Sequence, residues 1–196
     1  MINSVEYWKN RYQEGGHSGL GSYGFLAEYK KNFLNNFIKE KGINSILEYG
    51  CGDGNQLVLI DCEVKYGVDV SEVAVEKCKS LMPDNKFFVI SENEKLFLKK
   101  TDLLLSLDVL YHLLEDEVFE NYLKNIVDHE SEYVIIYSSD FDDSEHFSKH
   151  VRHRKFSDNS ILLEKYELIK FEENIYKSTD HELGSFSDWF IYKKIK

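Results

Sequence analysis

Proline is nearly missing from this chain: Pro83 is the only one in 196 residues. That excludes proline-rich linkers and leaves turns to glycine, asparagine and aspartate. Cysteine is scarce as well. Cys51, Cys62 and Cys78 are odd in number and show no C-x-x-C spacing, so they supply neither a complete disulfide framework nor a zinc motif, and a reduced, cytoplasmic setting is expected. No apolar run is long enough to cross a bilayer, and the opening MINSVEYWKNRYQ has no signal-type apolar core, so no membrane partner is expected. Positive charge is the last shortage. With 24 Lys and Arg against 35 Asp and Glu, the net charge is −11, which opposes attraction to a phosphate backbone and argues against a nucleic-acid partner.

What is present suits one domain spanning residues 1–196. A hydrophobic content of 42% with 14% aromatics suffices for a packed core and excludes a disordered chain. Phe25, Tyr29, Phe33 and Phe37, with Leu26, Leu34 and Ile38, recur at helical spacing and predict a helix ending near Gly42. Short apolar segments then predict strands at 45–49, 64–68, 86–90, 102–107 and 132–137. Ser71 caps a helix whose expected inner face is Val73, Ala74, Cys78 and Leu81. A strongly amphipathic stretch over 118–127 predicts the next helix. Two β-like segments, 166–176 and 186–192, follow without a helix between them. Alternating strands and helices imply an α/β fold: a doubly wound, mostly parallel sheet of about seven strands with a C-terminal antiparallel hairpin.

The most informative segment is Glu48-Tyr49-Gly50-Cys51-Gly52-Asp53-Gly54-Asn55-Gln56, directly after the first strand. Glycines at 50, 52 and 54 let a ligand approach the backbone, and amides here and at the next helix start can face its polar groups. Asp69 ends the second strand at about the separation where a carboxylate meets a ribose hydroxyl pair. A dinucleotide fingerprint, G-x-G-x-x-G, would need a glycine at 55, where Asn55 stands. That spacing disfavours a nicotinamide oxidoreductase.

The run resembles motif I of class I S-adenosylmethionine-dependent methyltransferases, E/D-x-G-x-G-x-G, and Ser106-Leu107-Asp108-Val109-Leu110-Tyr111-His112-Leu113 resembles their motif IV. With RYQEGGHSGLGSYG, VIIYSSD and HVRHRKFS added, the chain is similar to a small bacterial methyltransferase family associated with surface-polysaccharide and related small-molecule pathways. The resemblance implies S-adenosylmethionine as cofactor. It gives the glycines to the methionine and ribose portions, Asp69 to the ribose hydroxyls, and Glu48 to the loop and the cofactor's amino group. The expected cofactor-binding set is Tyr12, Glu48, Gly50, Cys51, Gly52, Gly54, Gln56, Asp69, Val70, Leu107 and Asp108. Residues 1–24 are expected to form a lid. Ser91 and Glu92 follow the third strand, where this fold meets the adenine, but the usual aspartate is missing.

Loops at the carboxyl ends of the strands should hold the acceptor. They carry Tyr111 and Ser138, and the basic cluster of His150, Arg152, His153, Arg154 and Lys155. Tyr111, Ser138, Arg152 and Arg154 are the expected acceptor-binding residues, the arginine forks matching a phosphate or other anion. A hydroxyl acceptor must lose its proton, and histidine suits that task. His112, His17 and His153 are the candidates, in that order; each also admits a packing or loop-bonding role. His150-x-x-His153 has metal-compatible spacing but no fixed partner carboxylate, so no metal is expected. The expected reaction is methyl transfer to oxygen, less readily to nitrogen, of a small polar metabolite, anionic or sugar-derived. RNA or protein acceptors, and a binding module without turnover, are the alternatives.

Overall fold

The computed structural model describes residues 3–91, 94–96, 98, 100–142, 148–179 and 183–195. Glu92, His146 and His181 lie outside the described residues. Seven strands form one sheet: β1 (Ser45–Tyr49), β2 (Val64–Asp69), β3 (Lys86–Val89), β4 (Leu103–Leu107), β5 (Tyr133–Ser138), β6 (Tyr166–Glu172) and β7 (Asp188–Lys194). Their spatial order is β3-β2-β1-β4-β5-β7-β6. The first five pair in parallel, and β7 runs antiparallel between β5 and β6. The C-terminal pair therefore inserts its second strand into the sheet and leaves β6 at the edge.

Among the described residues, five α-helices complete the layers: α1 (Ser4–Gln13), α2 (Gly24–Lys41), α3 (Glu72–Leu81), α4 (Asp116–His129) and α5 (Ser160–Leu163). Period-two alternation divides β4 cleanly. Leu103, Leu105 and Leu107 pack with Leu34 and Ile38 of α2 and Val75 and Cys78 of α3. Leu104 packs on the opposite face with Phe119, Leu123 and Ile126 of α4 and Leu162 of α5. Burial on both sides explains why β4 and β5 read as unbroken apolar runs.

The helix limits follow local chemistry. Gly42 ends α2 in the left-handed region at φ 66°, a conformation glycine adopts without strain. Ser71 caps α3 by accepting the amide of Ala74 at 3.3 Å. The buried face of α3 is Ala74, Val75 and Cys78. Leu81, expected inside, is the last residue of the helix and is 48% exposed.

Strand order reverses between β1 and β4. Loops leaving the carboxyl ends of these two strands diverge to opposite faces and open a crevice, where open α/β sheets bind ligands.

Candidate active site

β1 delivers its chain into a turn that only glycine tolerates. Gly50, Gly52 and Gly54 have φ of 83°, 53° and 80°. Atoms of the protein itself also crowd these positions. A Cβ on Gly50 would lie 2.7 Å from Val109, and one on Gly52 would lie 2.3 Å from Ser18 Oγ and 2.6 Å from the Tyr12 hydroxyl. A Cβ on Gly54 would press on Cys78 and Met82. This third glycine serves the packing of α3 on the loop and does not line the cavity.

Asp69 braces the same turn from β2. Its Oδ2 accepts the amide of Gly52 at 2.9 Å and its Oδ1 that of Ser71 at 2.9 Å. Burial raises its pKa, while these amides pull in the opposite direction. Each oxygen keeps a further lone pair for a ligand hydroxyl.

Together these elements wall a cleft of about 950 Å³, open mouth included. Of the expected cofactor residues, Tyr12, Glu48, Gly50, Cys51, Gly52, Gln56, Asp69, Val70, Leu107 and Asp108 all line it. Ile90 and Ser91 close the β3 side, and Val118 and Tyr122 of α4 add an apolar wall. The mixture is what a nucleoside with an amino-acid tail needs: an apolar slot for a base, a carboxylate for ribose, and bare backbone between them. Glu48 is 3% exposed, and its Oε2 accepts no hydrogen bond among the described residues. Burial pushes its pKa up to about 8; Asp69, Asp53 and Asp108 push the same way and Lys30 opposes them. A buried, unsatisfied acceptor in a cleft fits a cationic ligand group.

α1 crosses the cleft and presents Ser4, Val5, Trp8 and Tyr12 to it. Each end of this segment is fastened by a serine–carboxylate pair. At one end Ser4 donates its amide (3.0 Å) and hydroxyl to Glu115, while its Oγ accepts the Leu114 amide at 2.8 Å. At the other, Ser18 donates its hydroxyl (2.7 Å) and amide (3.1 Å) to Asp53. Tyr23 adds a phenol to Asp53 at 2.8 Å. Burial opposes ionisation of Asp53, but these donors prevail and hold its pKa below the ordinary value.

At the end of β4, Asp108 sits in the left-handed region at φ 58°, unusual for a residue with a side chain. Its Oδ2 meets Lys30 Nζ at 2.7 Å, and its Oδ1 accepts from Tyr111 and Ser187, each at 2.9 Å. Lys30 is fully buried and also lies over the Tyr137 ring at 5.3 Å.

Of the three histidines, only His112 lines the cleft. Its Nδ1 lies 3.0 Å from the carbonyl of His150. A carbonyl only accepts, so Nδ1 carries the hydrogen and Nε2 holds the basic lone pair. Trp8, Tyr111 and His150 surround the ring, and burial lowers its pKa to about 4. His17 is exposed; its Nδ1 accepts the Gly19 amide at 3.0 Å and its ring meets Tyr23. His153 is buried outside the cleft, with Ser139 Oγ 2.6 Å from Nδ1 and rings of Phe141 and Phe186 against it.

The expected acceptor residues are differently placed. Tyr111 is buried against Val151 and Phe186 and reaches the site through Asp108. Ser138 is buried, its hydroxyl unpartnered among the described residues. Both arginines face α4 instead. Arg152 donates to the Leu114 carbonyl at 2.8 Å and pairs with Asp116 at 2.9 Å. Arg154 donates to the carbonyls of Leu113 and Leu114 and pairs with Asp116 at 3.0 Å, its guanidinium over Phe119. Lys155 pairs with Asp158 at 2.9 Å. The two arginines of the cluster are thus tied to the start of α4.

Sequence reasoning missed Ser18, Asp53, Lys30 and the Ser4–Glu115 pair. Lys30 alone left a readable trace: a lysine in the buried stripe Leu26, Ala27, Leu34 and Ile38.

Residues 47–129 match the family model described as a methyltransferase domain. The chain carries a methyltransferase domain on the class I fold, an S-adenosylmethionine-dependent enzyme. No protein of curated function matches it in sequence. Among solved structures it is similar to the N-methyltransferase NodS from Bradyrhizobium japonicum WM9 in complex with S-adenosyl-L-homocysteine. That likeness has a TM-score of 0.74 at 13% identity, with 100% of each chain covered. It is also similar to the magnesium protoporphyrin IX methyltransferase of Synechocystis PCC 6803 with bound SAM. Here the TM-score is 0.70 at 13% identity, covering 100% of this chain and 99% of the other. A TehB-like methyltransferase from Corynebacterium glutamicum gives 0.60 at 16% identity, covering 97% and 96%. At such identities the likeness concerns the fold of this enzyme. No helix among the described residues is long and apolar enough to cross a membrane.

Proposed function

We propose that this enzyme methylates a hydroxyl oxygen of a small polar acceptor, with His112 as the base that receives the hydroxyl proton. One observation carries the choice of oxygen over nitrogen. His112 shares the cleft with the glycine loop, and the His150 carbonyl fixes its tautomer so that Nε2 is the proton acceptor. When bound, S-adenosylmethionine supplies a methyl group on a sulfonium that is already activated for displacement. The protein's remaining task is alignment in a water-poor space. Asp69 and the loop from Gly50 to Gly52 hold the ribose and tail, Glu48 faces the amino group, and Ile90, Ser91 and Val118 flank the base.

Residues 1–24 act as a lid, fastened through Ser4 and Ser18. An aromatic roof of Trp8 and Tyr12 then keeps water from the reacting atoms. The acceptor class we favour is a sugar hydroxyl of the kind found in surface-polysaccharide precursors. Phosphate recognition has no support from Arg152 and Arg154, which bond Leu113, Leu114 and Asp116 at the start of α4. The test is transfer of labelled methyl from S-adenosylmethionine to parallel panels of sugars and of primary amines. Label in sugars, lost in His112→Ala, supports the proposal; label confined to amines refutes it.

A further inference from the structure

Carboxylates outnumber ammonium groups around the cleft. Glu48 at the end of β1, Asp69 at the end of β2 and Asp108 at the end of β4 all line it, and Asp53 lies in the adjoining loop. Among the described residues, the one buried ammonium that faces them is Lys30 from α2, already paired with Asp108 at 2.7 Å. Lys65 on β2 is near enough to sense Glu48 as well, but its Nζ bonds the Leu57 carbonyl. The remaining titratable neighbours, Cys51 and Tyr122, sense the charge on Glu48 and are themselves held neutral by burial and, for Cys51, by Cys78. The other acids have donors of their own: two amides on Asp69, and serine, tyrosine and amide donors on Asp53. Glu48 has none on its buried Oε2. In a crowded, dry cluster of acids, the one without donors is the one that keeps its proton.

We infer that Glu48 is protonated in the ligand-free enzyme and releases its proton to solvent when the cofactor's ammonium settles against its carboxyl. This rests on the cofactor reading above and adds a proton to the binding equilibrium. The balance is simple: a neutral carboxylic acid and an ammonium give a carboxylate–ammonium pair and one free proton. The upward push on Glu48 by its acidic neighbours agrees with this placement. Cofactor affinity should therefore climb about tenfold per pH unit from pH 6 towards pH 8. It should level off where the cofactor's own amine begins to lose its charge, near pH ~8.

Calorimetry with S-adenosylhomocysteine at pH 7, run in phosphate and in Tris, reads the proton count directly, because the two buffers have different ionisation heats. The intact enzyme should release about 0.8 proton per ligand, and Glu48→Gln should instead take up about 0.1, the contribution of the ligand's amine. Normal binding with no net release by the unmodified enzyme would overturn the inference, as would equal release by Glu48→Gln. If that variant does not fold, the pH series on the unmodified enzyme decides: a flat affinity between pH 6 and 7.5 overturns it. Failure to bind S-adenosylhomocysteine or S-adenosylmethionine at any pH would instead reject the cofactor reading, and this inference with it.

Discussion

Ser18 and Asp53 hold each other in a closed pair. The serine hydroxyl donates to Asp53 Oδ1 at 2.7 Å, and the amide of Asp53 donates back to Ser18 Oγ at 3.0 Å. The pair lies directly over Gly52, whose missing side chain makes the room. One end of the segment that covers the cleft is thereby anchored to the glycine loop.

Breaking this pair should speed cofactor escape more than it harms the fold. Ser18→Ala is expected to raise the dissociation rate of S-adenosylhomocysteine about tenfold, consistent with ~1 kcal/mol per lost hydrogen bond. Stopped-flow displacement measures it. An unchanged rate would show that residues 1–24 do not gate the site.

Lys30→Met should lower stability far more than a surface lysine substitution. It strands Asp108, which is mostly buried beside Tyr111 and Ser187. Removing one partner of a buried pair costs about 3–5 kcal/mol, or a fall of roughly 10 °C in a thermal melt. A shift of only ~1 °C would mean the pair contributes little.

How much of this was readable in advance depends on whether a residue's role is local. The glycine turn, Asp69 and the strand sequence were legible because backbone φ, apolar runs and a fixed separation leave marks in a short window. The bonds of Arg152 and Arg154 were not. Their partners, the carbonyls of Leu113 and Leu114 and the carboxylate of Asp116, are 36 to 41 residues away, and a basic cluster looks the same whether it meets a ligand or the end of a helix. Chain position makes His153 a candidate base, yet in the fold it packs against Phe141 and Phe186, outside the cleft. Ser18 and Asp53, 35 residues apart, are ordinary polar residues until the chain folds.

Stability of the ligand-free enzyme should peak near pH 6.5. Burial lowers His112 and His129 to about 4. The unfolded chain thus binds more protons between pH 4 and 6.5, and stability is lost as pH falls through that window. Glu48, raised by burial to about 8, acts in the opposite sense: ionisation of the unfolded chain lowers stability as pH rises, until the folded carboxyl also ionises near pH 8. Between pH 6.5 and 8 that loss is about 2 kcal/mol. Melting curves across pH 4–8.5 test both limbs, and Glu48→Gln should flatten the alkaline one.

His112→Ala should depress kcat by roughly 10²–10³ while cofactor affinity changes less than about threefold. With its ring neutral to about pH 4, turnover of the saturated enzyme should show no acid limb near 6.5. A limb at that position would assign the base to another group.

Asp69 bears most directly on the central claim, since it both braces Gly52 and faces the cleft. The decisive measurement is a crystal structure with S-adenosylhomocysteine. The ribose hydroxyls should lie within hydrogen-bond reach of Asp69, with the tail along Gly50 to Gly52 and the sulfur on the His112 side. A nucleoside bound elsewhere, or Asp69 bonded only to protein amides beside an occupied ribose, would contradict the account.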